Sequence, residues 1–466
     1  MKVLLINPVS ADVREVRKKC LPPQSLLFLG TQLKKSGFNV RVLDANVFKL
    51  GIEQIVSMIT ADIPALIGIP ILSEIVCSVY QLTKAIKKQF PQIPIIMGGA
   101  HATAEGENVL HAFPQVDYVL RGESEFSMVE LCRALDAGGD VSQIKGVVYR
   151  RGSSIAVNES ADPPENLDDL GITDRGLLVD PDKEHPYYML QMGPRRVESM
   201  ITSRGCPHQC GFCANIRGKF RARSPENVIE EFNYLRQRGI SIVDMVDTNF
   251  TLDRYRAVKI FDLLIKEKLG VSFRFKTRVD MIDEELIQKA KLAGCHLISY
   301  GMESGVQYIL DRMNKRTTIK QNALAIEITK KAGLLCHAGW CLGYPGETPE
   351  TIKKTVDFII KIKPTTASIS ALMPYPGTLV YSEAQAEGTL MGAWSIHETT
   401  KPWVKLAWMK SYEDLEKMVR YAKNKVYYRP FYLINFSKNI LKNANITLAK
   451  YIVQETAKSI KGLIKK

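Results

Sequence analysis

The sequence predicts an α/β protein: a doubly wound parallel sheet, then a second β-α series read as a partial barrel, then a helical C-terminal extension. Three observations carry this. Short, continuously apolar runs alternate with helix-period segments over the first 140 residues. The alternation restarts near Val197 and supplies six further strands. A loop with three closely spaced cysteines follows the first strand of that second series.

In the first series Val3–Asn7, Asn39–Leu43, Ala65–Ile69, Ile95–Gly98 and Tyr118–Leu120 read as strands, each bounded by Pro, Gly, Asn or Asp. Helical periodicity occupies Gln24–Ser36, Ile52–Ile59, Ser73–Phe90, Thr103–Phe113 and Glu125–Ala137. Apolar strands joined by helices imply a parallel sheet covered on both faces, with its ligand across the carboxyl ends. This unit is read as residues 1–140. Residues 141–195 read as a linker with a hairpin, Lys145–Arg151 and Ser154–Asn158 flanking Gly152-Ser153, followed by the Asp/Pro/Glu-rich run Ala161–Asp168.

The second series is read as residues 196–395. Its strands are Glu198–Thr202, Ile242–Asp247, Ser272–Thr277, Leu297–Gly301, Cys336–Leu342 and Ala367–Leu372. Helices are expected at Pro225–Arg238, Arg254–Lys268, Asp283–Ala293, Ile319–Ala332 and Pro349–Ile362. Six such units favour a partial (β/α)6 barrel over a second open sheet, with chemistry at the C-terminal strand ends. Residues 396–466 form the extension: a helix over Tyr412–Lys425, then Tyr427-Tyr428-Arg429-Pro430-Phe431-Tyr432, then a basic amphipathic stretch.

Composition excludes several classes. With 466 residues, 45% hydrophobic and 24% charged, the chain is neither wholly disordered, collagen-like nor a polytopic membrane protein. No apolar run reaches the roughly 18 residues of a transmembrane helix. The opening Met1-Lys2-Val3-Leu4-Leu5-Ile6-Asn7-Pro8 turns polar too early for a secretory signal. Nine cysteines, an odd number, make no disulfide framework, and a cytoplasmic location is expected. The net charge of +14 is uneven: Lys410 to Lys466 holds 13 basic and 4 acidic residues, a net of +9. Lysines 438, 442, 450, 458, 461, 465 and 466 interleave with Ile, Leu, Val and Tyr there. This pattern fits peripheral contact with an anionic membrane and fits an ordinary packing helix with a solvated basic face equally well. Nucleic acid is not expected, because no nucleic-acid module is recognisable.

The decisive segment is Ser203-Arg204-Gly205-Cys206-Pro207-His208-Gln209-Cys210-Gly211-Phe212-Cys213. Cysteines spaced C-x3-C-x2-C on a Gly/Pro-bearing loop turn three sulfurs toward one centre, and thiolates suit zinc or iron–sulfur clusters. Structural zinc wants four protein ligands. No fourth cysteine lies nearby, and His208 sits inside the tight turn. Three thiolates on a cubane leave one iron open, as a catalytic cluster requires. The remaining cysteines, Cys20, Cys77, Cys132, Cys295, Cys336 and Cys341, sit singly on apolar segments and read as small buried hydrophobes. Cys336 and Cys341 face opposite sides of one strand, and Cys20 is the one to watch near the first sheet's ligand edge.

The cysteine loop, with Phe212 before its third cysteine, resembles the signature of the radical S-adenosylmethionine (radical SAM) family. The resemblance continues at the strand ends Val246-Asp247-Thr248-Asn249-Phe250-Thr251, Arg278-Val279-Asp280, Gly301-Met302-Glu303-Ser304-Gly305, Leu342-Gly343-Tyr344-Pro345-Gly346-Glu347-Thr348 and Met373-Pro374-Tyr375-Pro376-Gly377-Thr378. It implies a [4Fe–4S] cluster on Cys206, Cys210 and Cys213, with SAM on its open iron. Phe212, Asn249, Arg278, Glu303, Ser304, Gly343 and Glu347 are then SAM-site residues. Glu303 and Glu347 end apolar strands, where a carboxylate is costly without solvent or a ligand; the alternative is that Glu303 caps the next helix and Gly346-Glu347-Thr348 is a helix N-terminus. Gly343 and Gly346 would let backbone approach an adenine closely.

The first domain resembles the cobalamin (B12)-binding domain of one large branch of that family. The matching segments are Asn7-Pro8, Leu21-Pro22-Pro23, Gly98-Gly99-Ala100-His101-Ala102-Thr103 and Arg121-Gly122-Glu123-Ser124-Glu125. The resemblance implies cobalamin near Asn7, Pro8, Gly98, Gly99, His101, Thr103 and Glu123, with Thr103 capping the next helix. The D-x-H-x-x-G motif of methyltransferase B12 domains is absent, so His101 reads as a loop or helix-start residue rather than a cobalt ligand.

Together these resemblances, covering most of residues 1–430, imply a cobalamin-dependent radical SAM enzyme. The expected reaction is methyl transfer to an unactivated carbon of a small-molecule, lipid or isoprenoid substrate. A 5′-deoxyadenosyl radical removes hydrogen and methylcobalamin delivers the methyl group. A flavodoxin- or ferredoxin-like protein is the expected external electron donor. Radical cyclisation, ring formation or C–C coupling is the alternative chemistry, and a B12-binding sensor or scaffold is the non-enzymatic alternative.

Overall fold

The computed structural model describes residues 1–9, 19–179, 186–189, 195–214, 218–397, 401–429 and 432. In the N-terminal half the strands are β1 (Lys2–Asn7), β2 (Asn39–Asp44), β3 (Leu66–Pro70), β4 (Ile95–Gly98), β5 (Tyr118–Leu120), β6 (Val147–Arg151) and β7 (Ser154–Val157). They form one sheet in the order β2-β1-β3-β4-β5-β6-β7, parallel through β5. Strand order reverses between β1 and β3, the switch point of a doubly wound sheet, so its ligand edge is the carboxyl side. Alternation along the strands supplies two cores. Ile6, Leu43, Ile67 and Ile69 face one helical layer, while Val3, Leu5, Val42 and Leu66 face the other.

Three details differ from the sequence reading. The hairpin β6–β7 is added antiparallel to the edge of this sheet through β5, instead of standing in a linker. Val147 and Val148 are fully buried against its two faces, and that burial draws the hairpin in. The helix expected over Thr103–Phe113 is two short helices, Ala100–Glu105 and Glu107–Ala112, broken at Gly106 with φ of 56°. Thr103 caps nothing: it lies inside the first of these, its hydroxyl donating to the Gly99 carbonyl and accepting from the Gly122 N–H, both at 2.9 Å.

The second half holds β8 (Val197–Met200), β9 (Ile242–Met245), β10 (Ser272–Thr277), β11 (Cys295–Glu303), β12 (Leu335–Leu342) and β13 (Thr366–Ala371). All six are parallel and in sequential order, with β8 and β13 as the two edges, which is the partial α/β barrel. Capping side chains open the helices that follow these strands. Ser224, Asp253, Asp283 and Thr318 each accept a backbone N–H in the first turn of the next helix. Phe232, Phe250, Phe261, Phe273 and Phe275 pack as one aromatic group between the sheet and these helices. The helix Tyr412–Tyr427 buries Leu415, Val419, Ala422 and Val426 against the barrel. The basic stretch over 433–466 lies outside the described residues.

The halves are joined by buried polar contacts. Gln24 donates to the Ser199 carbonyl at 2.7 Å. Arg175, on the connection, reaches Glu231 at 2.6 Å, Glu198 at 3.4 Å and the Ser199 carbonyl at 2.9 Å. The carboxyl edges of the two sheets face one another. Tyr375, after β13, donates to Glu74, after β3, and Gly377 lies against Ala104, after β4.

Candidate active site at the facing strand ends

The cysteine loop leaves β8 and is closed at its base by a two-stranded ribbon, Ser203–Arg204 against Arg221–Ala222. Asp247, after β9, holds the start of this loop: its carboxylate accepts the Thr202 N–H at 2.6 Å, the Ser203 N–H at 3.1 Å and the Thr202 hydroxyl. Gly205 has a φ of 81°, and a Cβ there would collide with the Lys219 carbonyl across the turn. Gly211 donates to the Met313 carbonyl at 2.9 Å and accepts from Val380, which ties the loop to the segments after β11 and β13.

Cys210 is buried, while Cys206 and Cys213 are half-buried. Among the described residues no three Cys, His, Asp or Glu groups stand close enough to hold a single metal ion. A cubane takes one thiolate per iron, so its ligands need not meet as a single ion's do. Burial pushes the Cys210 thiol up, against the pull of Lys315 and Arg278, two cations suited to an anionic thiolate cluster. The donor set therefore fits a three-thiolate [4Fe–4S] cluster.

Lys315 organises the mouth of the barrel. Asn314 and Arg316 on either side of it have φ of 51° and 54°, a turn that drives the lysine inward. Its ammonium is 3.0 Å from Glu303 and 5.7 Å from the centre of the Phe212 ring, and its carbonyl accepts from Arg278 at 2.9 Å. Glu303 therefore pairs with a lysine rather than capping the next helix, from a φ of 63° that non-glycine residues seldom adopt. Arg278 is held bidentate by Asp280 at 2.8 and 2.9 Å.

Two buried polar atoms at the carboxyl ends of β9 and β12 have no partner. Asn249 is buried; its carbonyl accepts from Thr277 at 3.1 Å, and its amide nitrogen has no partner. Glu347 uses one oxygen to accept the Gly343 N–H at 2.5 Å and the Tyr344 N–H at 3.3 Å. Its other oxygen is buried with no partner, and burial pushes the carboxyl up to about 7. Such orphans are costly unless a ligand engages them, and SAM carries ammonium, carboxylate and hydroxyl groups that would.

The inner wall of the barrel is polar. Lys276, Ser299, His337 and Thr366 lie in one register across β10–β13. Above them come Gly301, Gly339 and Ser368, then Cys341 and Ser370. His337 is within 2.8 Å of the Thr366 hydroxyl and 3.2 Å of the Ser368 hydroxyl. Ordinary barrels fill this space with branched apolar side chains; here those sit on the opposite, helix-facing side, as Phe275, Ile298, Cys336 and Trp340 do.

Other candidate residues have protein partners. Ser304 is buried toward Thr355 at 3.3 Å. The space above Gly343 is taken by Leu415 and that above Gly346 by Arg312, so these glycines serve packing and are not open to an adenine. Gly346-Glu347-Thr348 does lead into a helix, with Thr348 as its cap. Asn7 donates to Asp44 at 2.7 Å, Pro8 is buried, and Gly98 and Gly99 abut the Leu120 and Ile71 backbones. The buried His101 ring shares a hydrogen bond with Ser73 at 3.0 Å. Glu123 is bound by Arg204 at 2.8 Å and by Arg221. Burial pushes its carboxyl up, but those two guanidiniums outweigh it and hold it below the usual range. Arg204 and Asp247 lie inside segments that the sequence marks, but their partners are distant in the chain and no local pattern shows them; Lys315 lies outside every such segment.

Comparison with known proteins agrees with this architecture. Residues 200–359 match the family model of the Radical SAM superfamily, and residues 11–132 match that of the B12 binding domain. The chain is 31% identical to a Pyrococcus horikoshii protein named uncharacterized methyltransferase PH0819, over 93% of this chain and 94% of that one. It is 30% identical to the anaerobic magnesium-protoporphyrin IX monomethyl ester cyclase of Rubrivivax gelatinosus, over 82% of this chain and 70% of that one. Its fold matches the radical SAM methyltransferase TsrM of Kitasatospora setae, solved with cobalamin and a [4Fe–4S] cluster, with a TM-score of 0.74 at 17% identity, covering 91% and 88% of the two chains. The cofactors are those of the family: a [4Fe–4S] cluster, SAM and cobalamin. This chain belongs to the cobalamin-binding radical SAM enzymes, of the methyltransferase and cyclase kind.

Proposed function

We propose that this enzyme transfers a methyl group to an unactivated carbon of a small molecule. One observation carries the reading: the carboxyl edge of the doubly wound sheet faces the carboxyl edge of the barrel, with Glu74 joined to Tyr375 and Glu123 to Arg204. Both edges are where such folds bind ligands, so two cofactors and a substrate would share one cleft. With the cofactors bound, the cluster would supply an electron to SAM and cobalamin would supply the methyl group.

The chain's own residues then have distinct tasks. Cys206, Cys210 and Cys213 hold the cluster; Glu303, Asn249 and Glu347 orient SAM; Lys315 and Arg278 offset the cluster's negative charge. Asn7, Pro8, Gly98, Gly99 and Thr103 belong to the edge on which cobalamin lies, and His101 is not its lower ligand. The polar inner wall supports a substrate whose reacting end carries hydrogen-bonding groups. A lipid or isoprenoid substrate drawn from an anionic membrane is the narrower proposal, and it rests on the basic stretch after residue 432. No helix among the described residues is long and apolar enough to cross a membrane. A flavodoxin- or ferredoxin-like protein is the proposed electron donor.

The test uses protein reconstituted with cluster and cobalamin, given reductant, methyl-deuterated SAM and a small-molecule cell extract as the source of the methyl acceptor. Methyl transfer yields both 5′-deoxyadenosine and S-adenosylhomocysteine. Extract-dependent formation of 5′-deoxyadenosine without S-adenosylhomocysteine would replace methyl transfer by the cyclisation reading, and formation of neither would leave a binding protein.

A further inference from the structure

We propose that Arg204 is a positioning residue that registers the cysteine loop against the cobalamin-binding half; this rests on the functional reading above. Arg204 stands two residues before Cys206. Its guanidinium donates to Glu123 at 2.8 Å and to Glu125 at 2.7 Å, and it lies 4.8 Å from the centre of the Phe28 ring. On the other strand of the ribbon, Arg221 binds the same Glu123 and donates to the Pro164 carbonyl at 2.7 Å. Both strands at the base of the loop are therefore tied to one short turn, Arg121 to Glu125, at the carboxyl end of β5. That turn is held in place in its own half, because Gly122 donates to the Thr103 hydroxyl.

The contacts are nearly dry: the side chains of Glu123, Glu125, Arg204 and Arg221 are 4, 6, 11 and 6% exposed. Buried ion pairs are weak sources of stability, and a role in fixing register is their best-attested use. Charge-assisted hydrogen bonds from one guanidinium to two carboxylates set direction as well as distance, which apolar packing alone does not. A group held from both sides in this way fixes the spacing between cluster and corrin, on which transfer within a shared cleft depends.

The experiment measures that spacing in the holoenzyme. Pulsed dipolar spectroscopy between Co(II) and the reduced cluster should give one narrow distance in the wild type and a broadened or shifted one in Arg204→Met, at unchanged iron and cobalamin content. Arg204→Lys, which keeps charge but not the fork, should recover only part of the narrow distribution. Glu125→Gln, of the same shape, serves if Arg204→Met fails to fold. In parallel, hydrogen exchange on the full chain without cofactors should quicken about tenfold in both 121–125 and 203–206. An unchanged narrow distance, or faster exchange confined to 203–206, overturns the proposal. A wild type that takes up no cobalamin overturns the functional reading instead, and the exchange measurement then decides the clamp by itself.

Discussion

Glu347 folds back on its own loop: one carboxylate oxygen accepts the Gly343 N–H at 2.5 Å, while the other is buried with no partner. Two backbone donors favour the charged form, yet desolvation outweighs them and the carboxyl is pushed from 4.5 up to about 7. A carboxyl whose folded value is raised contributes stability that is fully present below pH 4.5 and is lost as pH rises through about 7. The shift corresponds to roughly 3 kcal/mol. Glu347→Gln should remove this loss, so that the change in stability between pH 5 and pH 8 differs from that of the wild type by about that amount in urea titrations of the cofactor-free chain. It should also weaken SAM binding in equilibrium dialysis. An unaltered pH dependence would show that Glu347 is already charged in the folded protein.

Replacing Cys206, Cys210 or Cys213 with alanine should each abolish the cluster's visible absorbance and SAM cleavage. Cys295→Ala and Cys336→Ala serve as controls, since both are buried in the barrel core. Full iron content in all three loop variants would sink the assignment.

His101 should not ligate cobalt. Its ring is buried beside Ser73, and burial lowers its affinity for a proton despite Glu105 and Glu74 nearby. The Co(II) spectrum should lack nitrogen splitting from an imidazole, and His101→Gln should leave it unchanged. Histidine splitting that disappears in the variant would refute this.

Gly343 is a packing glycine. Its φ is 93°, and a Cβ would lie 2.7 Å from the Leu415 Cδ2. Gly343→Ala should cost about 2–3 kcal/mol from strain and overlap together. Most of the overlap share should vanish in a Leu415→Ala background, so a double-mutant cycle should be non-additive by about 1 kcal/mol. Simple additivity would mean that the C-terminal helix does not press on this loop.

Removing residues 438–466 should abolish binding to anionic vesicles at low salt and leave cluster and cobalamin content intact. The attraction, about 1 kcal/mol for each lysine near the surface, should fall as salt rises. Equally low binding to anionic and neutral vesicles by the full chain would remove the support for a membrane-borne substrate.

The sequence by itself determined the two β-α series and the three-cysteine loop. Strand periodicity, helical periodicity and a spacing that spans eight residues are all written in near neighbours. It also contained Glu303, Asn249 and Glu347, because polar residues ending apolar strands stand out locally. Only the tertiary structure decided what these residues meet. Glu123 read as a cofactor contact, yet its carboxylate faces arginines 81 and 98 residues away. Gly343 read as room for an adenine, and Leu415 from the last helix occupies that room. Lys315 had no local signal, and a turn with two left-handed residues carries it to Glu303. Periodicity reports which face of an element is buried. Which charge crosses to which partner depends on how the two sheets are set edge to edge, and no run of neighbouring residues encodes that.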